Sequence, residues 1–119
     1  MSGAIGVKMK ASSAKAKGRK LQNAIAQDIR DTFDLPAEDV TGAVMGESGM
    51  DIKLSATARA VFPFAVEAKC QERLNIWSAL GQSADNTPQG LTPIVVFSRN
   101  RAKTYVALEW ADFLSLVEG

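Results

Sequence analysis

The sequence contains no histidine and a single cysteine, Cys70. The first absence removes Ser-His-Asp and Cys-His triads, histidine general bases and histidine-metal nucleases. The second removes an internal disulfide and a zinc finger. No apolar run approaches the ~20 residues of a membrane-spanning helix, and no continuous apolar stretch of signal-peptide type opens the chain, so a cytoplasmic protein with no membrane partner is expected. Four prolines and nine glycines in 119 residues, with 46% apolar and 23% charged side chains, are too ordinary for a low-complexity segment. They describe one compact domain with a single modest core. Any catalysis falls to carboxylates, lysines and hard metal ions.

The formal net charge of +1 conceals an uneven distribution. Lys8, Lys10, Lys15, Lys17, Arg19 and Lys20 fall in the first twenty residues with no acid among them, which leaves the rest of the chain at −5. A basic segment on an acidic body suits a polyanionic partner, although short basic N-termini are also common as solvated leaders. Residues 1–16 have no apolar periodicity and read as a flexible basic arm, followed by one domain over 17–119.

From Lys17 the pattern is helical, with Leu21, Ile25, Ile29 and Phe33 on one face and Pro36 as the stop. Strands are expected over 39–45, 51–55, 64–70, 93–97 and 104–108, with a helical turn at 56–62. Glu72 to Asn86 reads as a helix that is apolar along Leu74, Trp77, Leu80 and Ala84 and amide-rich along Asn75, Ser78, Gln82 and Asn86. Trp110, Phe113, Leu114 and Val117 close the chain on an amphipathic helix, and both tryptophans are assigned to the core. The predicted order is α-β-β-β-α-β-β-α, an α/β fold whose central mixed sheet is flanked by helices.

Period two along the third strand sets Glu67 and Lys69 on one side, opposite Phe64, Val66, Ala68 and Cys70. Asp51 opens the preceding strand after a glycine-containing turn, where pairing would bring its carboxylate beside Glu67. Two carboxylates and a lysine in one cleft suit a hard cation such as Mg²⁺, which takes one or two carboxylates and completes its shell with waters and phosphate oxygens. On their own, Glu and Lys at i, i+2 on a strand more often form a weak solvated ion pair. Glu47 is a further candidate ligand, and the turn Gly46-Glu47-Ser48-Gly49 a weak candidate phosphate cradle.

With Asp51 on one strand, Glu67-Ala68-Lys69 on the next and the order of elements above, the sequence resembles the PD-(D/E)XK nuclease superfamily over about residues 17–100. Within it, Lys17-Gly18 leading into the first helix is similar to the small phage-type members and the archaeal Holliday junction resolvases. Met50 stands in place of the proline of the signature, and Gln22 where resolvases carry a glutamate. The resemblance implies a restriction-endonuclease-like core and a Mg²⁺- or Mn²⁺-dependent DNA endonuclease. Asp51, Glu67 and the main-chain carbonyl of Ala68 would be ligands, and Lys69 would orient or help deprotonate the attacking water. Gln22 and Gln82 would be secondary contacts in the same cleft.

Lys17, Arg19 and Lys20, together with the hairpin residues Arg99, Arg101 and Lys103, are the candidate contacts to DNA phosphates. A homodimer is expected from the short chain and the resemblance. Two other assignments stay open: a phage DNA-processing, nicking or homing nuclease of other selectivity, and a non-catalytic nucleic-acid-binding module that keeps the fold.

Overall fold

Helix α1 runs from Ser2 to Phe33, and Leu21, Ile25, Ala26 and Ile29 bury one face of it. The structure is a computed structural model that describes residues 2–44 and 49–119, with side chains from residue 14 onward. The helix thus continues back through the segment expected as an arm. Its alanines and lysines are strong intrinsic helix formers, so helix propagates there without the apolar stripe on which periodicity depends. It ends where expected: Asp34 adopts φ 54°, the Leu35 N–H returns to the Arg30 carbonyl at 3.0 Å, and Pro36 cannot continue the ladder.

Past a 3-10 turn, β1 (Val40–Gly42) pairs antiparallel with β2 (Ile52–Leu54), Thr41 opposite Lys53. Ser55 caps the short helix α2 (Ala56–Val61), its side chain accepting the Ala58 N–H at 3.1 Å. Strand β3 (Phe64–Cys70) lies parallel to β4 (Thr92–Ser98), and β5 (Tyr105–Ala107) adds antiparallel to β4. The single sheet expected from the sequence is therefore a two-stranded antiparallel sheet and a three-stranded mixed sheet. A bond from the Asp51 N–H to the Val66 carbonyl, 3.0 Å, bridges them.

The core lies between α1 and the strands. Leu21, Ile25 and Ile29 meet Val40, Ile52, Leu54, Val66 and Ile94 there. Ile52 and Val40 are fully enclosed, and burying a side chain of this size contributes about 1.5–3 kcal/mol. Ile94 and Val95 are both buried although they point to opposite faces, as the continuous apolar run of β4 predicts.

Helix α3 (Ile76–Asn86) and helix α4 (Trp110–Glu118) depart from expectation. The Asn75 side chain accepts the Ser78 N–H at 3.1 Å and starts α3 at Ile76 rather than Glu72. Its buried positions are Ala79 and Ser83, and the Ser83 hydroxyl donates to the Ile94 carbonyl at 3.0 Å. The small-residue stripe packs on the sheet, since small side chains allow the closest approach. Trp77, on the bulkier stripe, is 81% exposed. Trp110 is 69% exposed, and α4 buries none of its residues. Both tryptophans are thus surface residues, not core. Among the described residues no helix is long and apolar enough to cross a membrane.

Candidate active site

Asp51 sits where the two sheets meet. Gly49 precedes it with φ 99°, a conformation that L side chains rarely adopt. The Asp51 carbonyl accepts the Ala43 N–H at 2.8 Å while its own N–H bonds Val66. Its Oδ2 accepts the Ala68 N–H at 2.7 Å. Main chain and side chain of one residue therefore both grip β3.

That grip orients β3. The Val66 carbonyl and the Ala68 N–H face the β2 edge, and a strand residue sends its carbonyl to the same side as its N–H, so the Ala68 carbonyl leaves beside Asp51. Glu67 and Lys69 project from one side of β3, with Glu67 Oε2 3.5 Å from Lys69 Nζ. A cleft of about 490 Å³ opens over these residues, walled by Lys15, Gly18, Arg19 and Gln22 of α1 and by Gly42. A Cβ at Gly42 would stand 3.1 Å from Gln22 Oε1, so glycine allows β1 to approach the amide at the cleft wall.

Burial pushes the Asp51 carboxyl above its ordinary range, against the opposing pull of the Ala68 N–H and the Lys69 charge. Glu67 is also raised, first by burial and then by the negative charge of Asp51. Lys69 and hydrogen bonding from Asn86 act in the other direction. The two acids are thus desolvated, Asp51 bears on Glu67 with its negative charge, and the Lys69 ammonium attracts both.

A divalent cation would relieve both costs. The donors are hard oxygens: two carboxylates and a main-chain carbonyl. Among the described residues no group of three or more Asp, Glu, Cys or His forms. Hard oxygens of this kind would suit Mg²⁺, which completes its shell with water and phosphate.

Asp51, Glu67, Ala68, Lys69 and Gln22 line one cleft, and Arg19, a candidate DNA-phosphate contact, lines it too. Gln82 does not: it is exposed and outside that lining. The last turn of α3 comes to Glu67 instead, which sets Asn86, one turn beyond Gln82, against that carboxylate. Lys17 and Lys20 are exposed outside the cleft lining, whereas Lys15 is within it. The i, i+4, i+7 spacing of Lys15, Arg19 and Gln22 was the available signal for that shared face. Arg99 and Lys103 line a separate hollow with Glu72, whose carboxylate accepts the Asn100 N–H at 2.7 Å. Arg101 is exposed, with φ 59°. Cys70 is half-buried. Gly46, Glu47 and Ser48 lie outside the described residues.

Comparison with protein-family models, with curated proteins and with solved structures gave no match to this chain.

Proposed function

We propose that the protein is a divalent-metal-dependent DNA endonuclease of the PD-(D/E)XK type, with a restriction-endonuclease-like core. One observation carries this reading: Asp51, immediately before β2, is hydrogen-bonded to β3 at Ala68, between Glu67 and Lys69. Three ionisable side chains from neighbouring segments thereby share one cleft.

Asp51, Glu67 and the Ala68 carbonyl would hold Mg²⁺ or Mn²⁺. When bound, the ion supplies Lewis-acid polarisation of a phosphate oxygen and neutralises charge. Lys69 orients the attacking water and offsets negative charge that develops on the phosphate. Asn86 stands beside the Glu67 carboxylate and favours its charged form. Arg19 and Lys15 draw the phosphate backbone into the cleft without reading sequence.

The test is cleavage of four-way junctions, linear duplex and single strands with Mg²⁺, Mn²⁺ or a chelator. Cutting that requires the metal is expected, and preference for the junction would mark a resolvase-like enzyme. No cutting of any substrate, with no metal-induced rise in melting temperature, would overturn the proposal. Binding to N but not U at a hundred times Kd stabilises by about 2.7 kcal/mol, so a metal site is visible even without a substrate.

A homodimer is the assembly proposed for this nuclease, and α4 supports it. Phe113, Leu114, Leu116 and Val117 are all more than 40% exposed on a nine-residue helix, a length at which an isolated helix is marginal in water. A single-chain mass by light scattering, with and without DNA, would count against the dimer.

A further inference from the structure

Across the three-stranded sheet, the register sets Lys69 of β3 beside Phe97 of β4, and Phe97 beside Tyr105 of β5. Paired residues of neighbouring strands send their side chains to the same face. The ammonium of the cleft and two aromatic rings therefore form one row across the sheet. Neighbouring strands lie about 4.7–4.9 Å apart, which puts the Tyr105 backbone ~10 Å from that of Lys69. This is the length of about three base steps along a DNA strand.

The two rings pack together, with centroids 6.1 Å apart and planes inclined at 32°. Phe97 is half-buried and Tyr105 is 58% exposed, so the first ring backs the second and leaves it open to solvent. A hollow of about 300 Å³ lies at the rings, lined also by Gln71, Glu72, Arg99 and Lys103. The hairpin that carries the cations is held from two sides. The Ser98 hydroxyl donates to the Ala102 carbonyl at 3.3 Å, and the Glu72 carboxylate accepts the Asn100 N–H at 2.7 Å. Two cations thus share the hollow with one acid, and that acid is engaged on the main chain of the hairpin.

An exposed ring with cations beside it matches the two parts of a single-stranded nucleotide: the flat base lies on the ring and the phosphate on the cations. Bases inside a duplex are covered by their own neighbours and reach such a ring only when unpaired and unstacked. Arginine's planar fork suits the phosphate, and a lysine adds a point charge.

We propose that Tyr105 stacks an unpaired base of the DNA strand whose linkage is held at Asp51 and Glu67, with Arg99 and Lys103 on the phosphate of that nucleotide. The proposal rests on the nuclease assignment and names its substrate class: DNA with unpaired nucleotides close to the cut, as in a single-stranded arm, rather than continuous duplex. The base is not selected by identity, since every base has a π-face.

The test measures binding of a linear duplex and of the same duplex bearing a single-stranded arm, with a fluorescent adenine analogue in the arm and Ca²⁺ in place of Mg²⁺. Wild type is expected to prefer the armed substrate and to quench the analogue. Tyr105→Ala should bind that substrate about 5- to 150-fold more weakly, the range for one base–aromatic stack. It should also lose the quenching and bind the linear duplex as wild type does. Tyr105→Phe keeps the ring and should keep both affinity and quenching, which separates loss of the stack from loss of the fold. Arg99→Gln should flatten the salt dependence of binding to the armed substrate, whereas Tyr105→Ala, a neutral change, should not. Wild-type affinity of Tyr105→Ala for the armed substrate, or an equal loss on both substrates, would overturn the stacking site. Metal-dependent cutting alongside that result would leave the nuclease assignment standing. An arm that is bound and quenched but never cut would remove the nuclease assignment and keep Tyr105 as a base-binding residue. A free deoxynucleoside monophosphate that displaces the arm at matching concentration would assign the hollow to a free nucleotide and overturn the proposal.

Discussion

Glu67→Gln should abolish metal-dependent DNA cleavage and raise the melting temperature of the metal-free protein. The loss of activity follows from the ligand set. With two carboxylates among the described residues of the cleft, removing one leaves Asp51 and a carbonyl, and the rate should fall at least ~10³-fold, the upper range for deleting one electrostatic contact at a reacting centre. The gain in stability follows from linkage. Folding raises the Glu67 pKa, so the folded chain binds more protons than the unfolded chain between the two pKa values. Stability therefore falls as pH rises through that window and stays reduced at neutral pH. A neutral amide of the same shape removes the cost. Thermal melts at pH 7 should show the variant above wild type, and the difference should vanish below about pH 4, where the unfolded carboxyl is itself protonated. A typical substitution at a buried position lowers stability by about 0.5–3 kcal/mol, so a rise is a distinctive sign. A variant that melts lower at pH 7 and still cuts DNA would remove Glu67 from the site.

Lys69→Met should cost a further large factor by a different route, roughly 10²–10⁴ in turnover, the range for a general acid–base or charge-stabilising group. The aliphatic stem is retained and the ammonium is lost. Metal binding should persist at raised pH, because Asp51 and Glu67 remain. Lys69 now lowers both carboxyl pKa values, so without it each acid keeps its proton to higher pH. Metal affinity needs both acids deprotonated, and the pH midpoint of Mn²⁺ binding should move upward. Calorimetric titration of Mn²⁺ at several pH values, alongside single-turnover cleavage, separates the two effects. An unshifted midpoint would mean that Lys69 does not sense the carboxylates in solution.

Much of this site was legible because β-strands write their faces in alternation. The limits of β3, Phe64–Cys70, coincide with the sequence expectation. The common side of Glu67 and Lys69 followed from period two alone. The nearness of Asp51 depended on a pairing the sequence only suggested, and the hydrogen bond to Ala68 now supplies it. Helix α3 was harder to read. It has two adjacent stripes, and hydrophobicity favoured the one with Trp77 while packing used the one with Ala79 and Ser83. That rotation also moved the amide beside Glu67 from Gln82 to Asn86. Similarly, a segment with high helix propensity and no apolar face gave no periodic signal before Lys17, although α1 extends back to Ser2.

The attachment of Asp51 to Ala68 has one more consequence. With Oδ2 accepting the main-chain amide of Ala68, the carboxylate is held in one orientation, and any ligand it takes would meet it already aimed. The joint between the two sheets is what aims it. A substitution at position 51 that removes the acceptor oxygen would therefore loosen that joint as well as the cleft.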